Sequence, residues 1–202
     1  MLDAPLRKLI DLPLNRAGAA LARAGLRPDW VTWGGFALGL AAVPAIAAHR
    51  YDIGLGFIVA NRIADGFDGA IARHSRVSDA GAFLDIALDF IFYAAVPFAF
   101  ALARPEEALA SAFLALSFVA AGSSFLAYAV IAGKRGLTTD LNGSKSIYHI
   151  GGLTEGSETF IAFALACLFP NWFGAICIIF GALCFITAGT RIGAAVVNFR
   201  DT

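Results

Sequence analysis

In a largely apolar chain of 202 residues, residues 65–89 read DGFDGAIARHSRVSDAGAFLDIALD, and four of the five aspartates in this stretch fall into two closely spaced pairs. Asp65 and Asp68 are three residues apart, and Asp85 and Asp89 are four apart. Side chains at these spacings share one face of an α-helix. The sequence therefore predicts two helices, each of which presents a pair of carboxylates on one face.

The residues between the two pairs, 73–80, are expected to form the turn of an antiparallel helical hairpin. At a rise of about 1.5 Å per residue, Asp65 and Asp89 each lie about 13 Å from that turn, so all four carboxylates converge at one depth. An aspartate at the centre of a membrane helix costs about 2.5–3.5 kcal/mol, and hard oxygen ligands suit Mg²⁺ or Mn²⁺. The pattern predicts a site where two such ions compensate the acids.

Small residues accompany the first pair of aspartates. Gly69 and Ala72 are three residues apart on the carboxylate-bearing face, and they leave room for a bulky group to approach the backbone. Arg73 follows at the end of the helix, where its planar and always charged guanidinium matches phosphate. Together with the acids, these residues suggest a metal-bound pyrophosphate substrate.

The full pattern, D-x-x-D-G-x-x-A-R-x7-G-x3-D-x3-D, includes Gly81 and resembles the signature of the CDP-alcohol phosphotransferase family at every fixed position. The resemblance covers nearly the whole chain. Residues 28–32, PDWVT, are similar to a Pro-Asn-x-x-Thr segment, with Asp29 in place of Asn. Residues 187–191, TAGTR, are similar to a Thr-x-x-Gln-Arg segment, with Thr190 in place of Gln.

This resemblance implies transfer of a phosphatidyl group from a CDP-linked lipid, first of all CDP-diacylglycerol, to the hydroxyl of a polar alcohol, with release of CMP in phospholipid biosynthesis. Asp65, Asp68 and Asp85 would hold two Mg²⁺ or Mn²⁺ ions, and Asp89 would complete the ligand set and act as the base. The donor lipid would be bound by Asp29, Thr32, Gly69, Ala72, Arg73, Ser78 and Gly81.

The residues for the acceptor alcohol are less specific, and each has a second interpretation. Arg191 binds acceptor or phosphate, or it pairs with an acidic side chain inside the bundle. Lys145 approaches an acceptor phosphate, or it is a solvated loop lysine. Glu155 and Glu158 bind acceptor hydroxyls or an amine, or they favour a helix N-terminus.

The acceptor itself stays open among glycerol 3-phosphate, serine, an inositol phosphate, phosphatidylglycerol and a simple amino alcohol. Family members that use inositol phosphate resemble Glu-Arg-x-Glu-Arg where this chain has residues 155–159, EGSET. Gly156 and Thr159 replace the two arginines, which weakens the case for a doubly charged acceptor. Arg62, three residues before Asp65, neutralises the acidic cluster in the simpler interpretation.

Composition and patterning predict an all-α integral membrane protein. The chain is 59% hydrophobic with zero formal net charge, so it shows no footprint of nucleic-acid binding. Residues 1–29 form an amphipathic interfacial segment interrupted by Pro13, and residues 30–202 form one membrane domain. We expect six transmembrane helices, or five with a re-entrant segment; the six lie near residues 31–49, 53–74, 80–103, 107–133, 152–169 and 172–198.

Lysine and arginine concentrate in the N-terminal segment, the 74–79 turn, the 134–151 loop and the C-terminal tail. The positive-inside rule then places both termini in the cytoplasm, with the carboxylates opening to that side of the inner membrane. The family resemblance also implies a homodimer. Two other functions remain open, a divalent-cation transporter and a non-catalytic member of the family that binds CDP-lipid.

Overall fold

The computed structural model describes residues 3–75, 78–136 and 153–200, and residues 3–12 as backbone alone. Apart from two 3₁₀ turns, Pro105–Glu107 and Pro170–Trp172, the regular structure in this part of the chain is seven α-helices. In chain order they are α1 Asp3–Arg23, α2 Pro28–Ala47, α3 Tyr51–His74, α4 Asp79–Ala103, α5 Ala108–Lys134, α6 Gly156–Leu168 and α7 Phe173–Asn198.

Four of the described helical segments are long and apolar enough to cross a membrane: Pro28–Ala47, Asp79–Ala103, Pro105–Lys134 and Pro170–Asn198. They correspond to the first, third, fourth and sixth of the predicted spans. The second predicted span corresponds to α3, which is 24 residues long but is not among these four segments because it carries the acidic motif. The fifth, α6, has 13 residues, about 20 Å at 1.5 Å per residue, which is short of a hydrocarbon core. Six spans therefore remain a prediction.

Helix α1 continues through Pro13, so the predicted interruption there is wrong. A proline removes one helical hydrogen bond, yet α1 remains helical there and packs against α3. Gly18 lies so close to α3 that a Cβ built on it would be 2.7 Å from the Ala70 carbonyl carbon. Whether α1 lies in the membrane interface stays a prediction.

The expected hairpin is formed by α3 and α4. Helix α3 ends at His74 and α4 begins at Asp79. Ser78 caps α4, because its hydroxyl accepts a hydrogen bond of 3.0 Å from the Gly81 amide. The turn thus falls within the predicted range 73–80, and the two acidic faces lie on neighbouring helices.

Helix α2 packs against both arms of this hairpin through glycines. A Cβ on Gly35 would lie 2.7 Å from the Ala64 Cβ of α3, and one on Gly39 would lie 2.8 Å from the Phe92 ring of α4. Beyond the acids, aromatic side chains fill the bundle, and Phe100 stacks on Phe173 with ring centroids 4.2 Å apart. The acidic site is therefore enclosed by α2, α3 and α4 at one end of an apolar core.

The α1–α3 contact can be tested with a single methyl group. We expect Gly18→Ala to lower stability by about 1–2 kcal/mol, because the added Cβ meets backbone that cannot move without separating the helices. Thermal unfolding in detergent measures the change. Gly56→Ala is the matched control, since a Cβ there meets nothing within 4 Å and alanine favours a helix. Equal stabilisation by both variants would contradict the close approach.

Candidate functional site

Three of the four predicted carboxylates meet across the hairpin. Asp65 and Asp68 of α3 and Asp85 of α4 each offer one oxygen, and these oxygens lie within 4.8 Å of one another. Asp68 is buried, with 7% of its surface exposed, while the other two are half-buried. Helix α2 adds Thr32, whose hydroxyl donates to Asp68 Oδ2 at 2.7 Å.

These donors fit a divalent cation. Carboxylate oxygens are the hard ligands that Mg²⁺ and Mn²⁺ prefer, and burial of an unneutralised carboxylate is costly. A cation shared by Asp65, Asp68 and Asp85 would compensate that cost. The geometry is thus consistent with the predicted metal site, whose ion and stoichiometry belong to the proposal below.

Asp89 lines the same cavity but engages a different partner. The cavity walls come from α2, α3 and α4, namely Thr32, Gly35, Phe36, Asn61, Arg62, Asp65, Asp68, Asp85, Leu88 and Asp89. Arg62 Nη2 donates to Asp89 Oδ1 at 2.5 Å, and Tyr93 donates its hydroxyl proton to Asp89 Oδ2 at 3.2 Å. Both oxygens of Asp89 therefore carry hydrogen bonds.

Arg62 neutralises the acidic cluster, as the sequence suggested. In addition to Asp89, its Nη1 lies 3.4 Å from Asp65 Oδ2. The guanidinium also lies over the rings of Phe92 and Tyr93, at 5.5 and 5.6 Å from their centroids. One cation thus connects the acids of α3 with those of α4.

Two residues that support Arg62 were not predicted. Asn61 Oδ1 accepts from Arg62 Nε at 3.0 Å, and its Nδ2 donates to the Gly35 carbonyl at 2.9 Å. Tyr93 lies four residues after Asp89, on the same helical face. The only sequence signal for either residue is a polar group within an apolar helix, which does not identify its partner.

The residues predicted to bind the donor fall into two groups. Asp29 at the start of α2 and Ser78 at the start of α4 meet at Gly81, where a Cβ would lie 3.0 Å from Asp29 Oδ1 and 3.1 Å from Ser78 Oγ. Thr32 lies one turn after Asp29 and reaches Asp68. Through Thr32, this group borders the carboxylates. Because residue 81 is a glycine, the space beside Asp29 and Ser78 stays open, and any side chain at that position would crowd them.

The second group lies at the end of α3. Arg73 is exposed, and its Nε donates to Asn15 Oδ1 of α1 at 2.8 Å. Its Nη1 would lie 3.8 Å from a Cβ on Gly69, and Ala72 precedes it as a half-buried residue. The guanidinium of Arg73 thus lies beside Gly69, and these three residues are not among those that line the cavity of the carboxylates.

Two of the predicted acceptor residues cap α6. The Glu155 amide donates to Glu158 Oε2 at 3.1 Å, and the Glu155 side chain accepts from the Glu158 amide. This reciprocal capping box corresponds to the second of the two interpretations, a helix N-terminus. A Cβ on Gly156 would lie 3.6 Å from the Tyr93 hydroxyl, so the cap lies near Asp89.

The other two acceptor residues are placed differently. Arg191 of α7 is buried, and its Nη1 donates to the Ala121 carbonyl at 3.2 Å. Its guanidinium lies 5.5 Å from the centre of the Phe125 ring, and Glu155 is within electrostatic reach. Lys145 lies outside the described residues.

Comparison with known proteins agrees with this geometry. A sequence model of the CDP-alcohol phosphatidyltransferase family matches residues 26–187. "Inner membrane protein YnjF" from Escherichia coli (strain K12) is 46% identical, and the match covers 100% of this chain and 98% of that protein.

A solved structure shares the fold. It is the crystal structure of Mycobacterium tuberculosis phosphatidylinositol phosphate synthase (PgsA1) with CDP-DAG bound, with a TM-score of 0.71. The match covers 91% of this chain and 93% of that one at 20% identity, a level at which only the fold is shared.

The chain belongs to the CDP-alcohol phosphatidyltransferase family, which confirms the resemblance seen in the sequence. In the described residues, four helical segments are long and apolar enough to cross a membrane, and together with the similarity to an inner membrane protein this agrees with an integral membrane protein. The acidic motif of the hairpin, residues 65–89, lies wholly within the matched region.

The carboxylate cluster can be tested by its metal affinity alone. We expect Asp68→Asn to weaken Mn²⁺ binding at least about tenfold, because it removes a buried negative ligand. Titration monitored by electron paramagnetic resonance of free Mn²⁺ measures the change. Asp52→Asn is the control, since Asp52 is exposed and pairs with Arg50 at the opposite end of α3. Equal affinities for the two variants would argue against this cluster.

Proposed function

We propose that this protein transfers a phosphatidyl group from a CDP-linked lipid, CDP-diacylglycerol first, to the hydroxyl of a polar alcohol. The alcohol oxygen attacks the lipid-side phosphorus, the bond from that phosphorus to the CMP oxygen breaks, and CMP leaves. The observation that carries the proposal is the meeting of Asp65, Asp68 and Asp85 across the hairpin, with Asp89 in the same cavity. Membership of the family supports the reaction class.

Asp65, Asp68 and Asp85 would hold divalent cations, two Mg²⁺ or Mn²⁺ in the working site, with Asp89 completing the ligand set. When bound, such ions supply positive charge that stabilises the diphosphate and the departing CMP. Thr32 orients the buried carboxylate of Asp68 through its hydrogen bond of 2.7 Å. The residues of α2 therefore help to set the ligand geometry of α3.

Asp89 is our candidate for the base that takes the proton of the acceptor hydroxyl. A base must lie within hydrogen-bond reach of that proton, directly or through one water. Its two oxygens are fixed by Arg62 and by the Tyr93 hydroxyl, so its carboxylate keeps one orientation in the cavity. The N-terminal end of α6, beside Tyr93, is where we place the acceptor.

Donor binding would use both groups of predicted residues. Asp29, Thr32, Ser78 and Gly81 line the side toward the helix starts of α2 and α4, while Gly69, Ala72 and Arg73 accommodate the cytidine diphosphate at the end of α3. The lipid tails would pass between helices into the bilayer. A protein of the same fold has been solved with CDP-DAG bound, which supports a CDP-lipid as the donor.

The acceptor is a polar alcohol, and both classes favoured by the sequence remain, glycerol 3-phosphate and an uncharged or zwitterionic alcohol. Buried Arg191 is a cation for an anionic group, while Glu155 and Glu158 suit hydroxyls or an amine. We further propose an inner-membrane location with the site facing the cytoplasm, supported by the similarity to an inner membrane protein, and a homodimer.

The transporter alternative is weakened by one observation. Arg62 bridges the acids of the two helices with contacts of 2.5 and 3.4 Å, and a fixed cation on an ion path repels other cations. A family member that binds CDP-lipid without turning it over differs from the enzyme in releasing no CMP. Both alternatives are outcomes of the experiment below.

The direct test measures CMP release from CDP-diacylglycerol by the purified protein with Mg²⁺ or Mn²⁺ across a panel of alcohols. We expect release with one class of alcohol and a fall of about 10²–10⁴-fold in Asp89→Asn, the effect of losing a general base, while CDP-lipid binding remains measurable. Asp52→Asn should retain the wild-type rate, because its side chain is exposed and distant from the site.

Each other outcome has a defined meaning. Full activity in Asp89→Asn would remove Asp89 as the base. CDP-lipid binding without CMP release for any alcohol would identify a non-catalytic binding protein. Absence of both binding and release would overturn the proposed reaction.

A further inference from the structure

Arg62 is the positively charged residue among those that line the acidic cavity, and it is held by several contacts. Its three nitrogens reach four oxygens, those of Asn61, Asp65, Asp89 and Tyr93, at 2.5–3.4 Å. Two aromatic rings flank the guanidinium. Only 16% of its side chain is exposed. Such a cation is part of the cavity and not a solvated counter-ion.

The four carboxylates fall into two sets, and Arg62 contacts a member of each. The oxygens of Asp65, Asp68 and Asp85 that lie within 4.8 Å of one another form the set suited to a single metal ion. Asp89 is not part of that set, and its two oxygens accept hydrogen bonds from Arg62 and Tyr93. A further ion that uses Asp89 has to displace at least one of these donors.

Charge balance favours the same division. Arg62 and one divalent ion offset all but one of the four carboxylate charges. A second divalent ion would make the net charge of the cavity positive. Binding of a doubly charged diphosphate would then return the net charge to the single negative charge that the cavity has with one ion. A guanidinium released from Asp89 can donate its hydrogen bonds to a phosphate group instead.

We propose that Arg62 is a resident cation, that is, a fixed positive charge that limits the substrate-free site to one tightly bound divalent ion. Only when a diphosphate is bound does Arg62 leave Asp89, so that a second ion can bind there. The inference rests on the proposed function for the identity of that diphosphate. Arg62 would thus couple the binding of the donor to the binding of the second metal ion.

The test counts Mn²⁺ bound to the purified full chain, with free Mn²⁺ read by electron paramagnetic resonance, and needs no turnover. CDP is the diphosphate probe, CMP is its matched monophosphate control, and Mn²⁺ bound by the nucleotide alone is subtracted. We expect wild-type protein to bind one Mn²⁺ alone or with CMP, and two with CDP.

The variants isolate the charge of Arg62. We expect Arg62→Gln to bind a second Mn²⁺ without CDP, with at least a tenfold gain in its affinity, whereas Arg62→Lys retains the wild-type count. Arg50→Gln is the control, since it removes the same charge from an exposed residue immediately before α3. If Arg62→Gln does not fold, the CDP dependence of the wild type and Arg62→Lys decide the question.

Two outcomes would overturn the inference: two Mn²⁺ on the wild type without CDP, or a single ion on folded Arg62→Gln. These results are separable from the proposed function. CMP release together with two ions on the substrate-free wild type would refute the resident cation and leave the transferase intact. The expected Mn²⁺ counts without CMP release for any alcohol would keep the resident cation and refute the transferase.

Discussion

The ion pairs of Arg62 with Asp65 and Asp89 are the interaction on which the rest of the site depends. Four carboxylates inside an apolar helical bundle repel one another and lose hydration. The guanidinium of Arg62 offsets both costs, because it contacts an acidic residue of α3 at 3.4 Å and one of α4 at 2.5 Å at the same time. Asn61, Phe92 and Tyr93 fix its position. The α3–α4 hairpin can therefore hold its acids together without relying wholly on a bound ion.

Close helix packing makes this arrangement possible. Gly35 and Gly39 of α2 bring its backbone against α3 and α4, so that Thr32 reaches Asp68 and the Gly35 carbonyl reaches Asn61. Small residues at helix contacts are the usual means of close approach in membrane bundles, where the hydrophobic effect does not drive helices together. The same packing that stabilises the bundle thus sets the positions of the polar side chains in its cavity.

Much of this organisation was predictable from local spacing. The hairpin, the convergence of the carboxylates and the contact of Arg62 with Asp65 follow from helical periodicity over a few residues. The limits of such reasoning appear at α1, which passes through Pro13, and at α3 and α6, whose charge or length does not identify them as spans. From the sequence, Glu155 and Glu158 were equally consistent with acceptor binding and with a helix N-terminus. The structure shows that they form the capping box of α6.

The sequence alone determined the family, the all-helical fold class and the four aspartates of the site, because each depends on residue identity at fixed spacing. Tertiary structure alone decided how those aspartates divide, with three facing one another and Asp89 bound to Arg62 and Tyr93. It also decided that Asn61 joins Arg62 to the backbone of α2. The physical reason is that, apart from the Tyr93–Asp89 contact within α4, these contacts join separate helices. Their partners are set by the distance of helix approach, which no local spacing encodes.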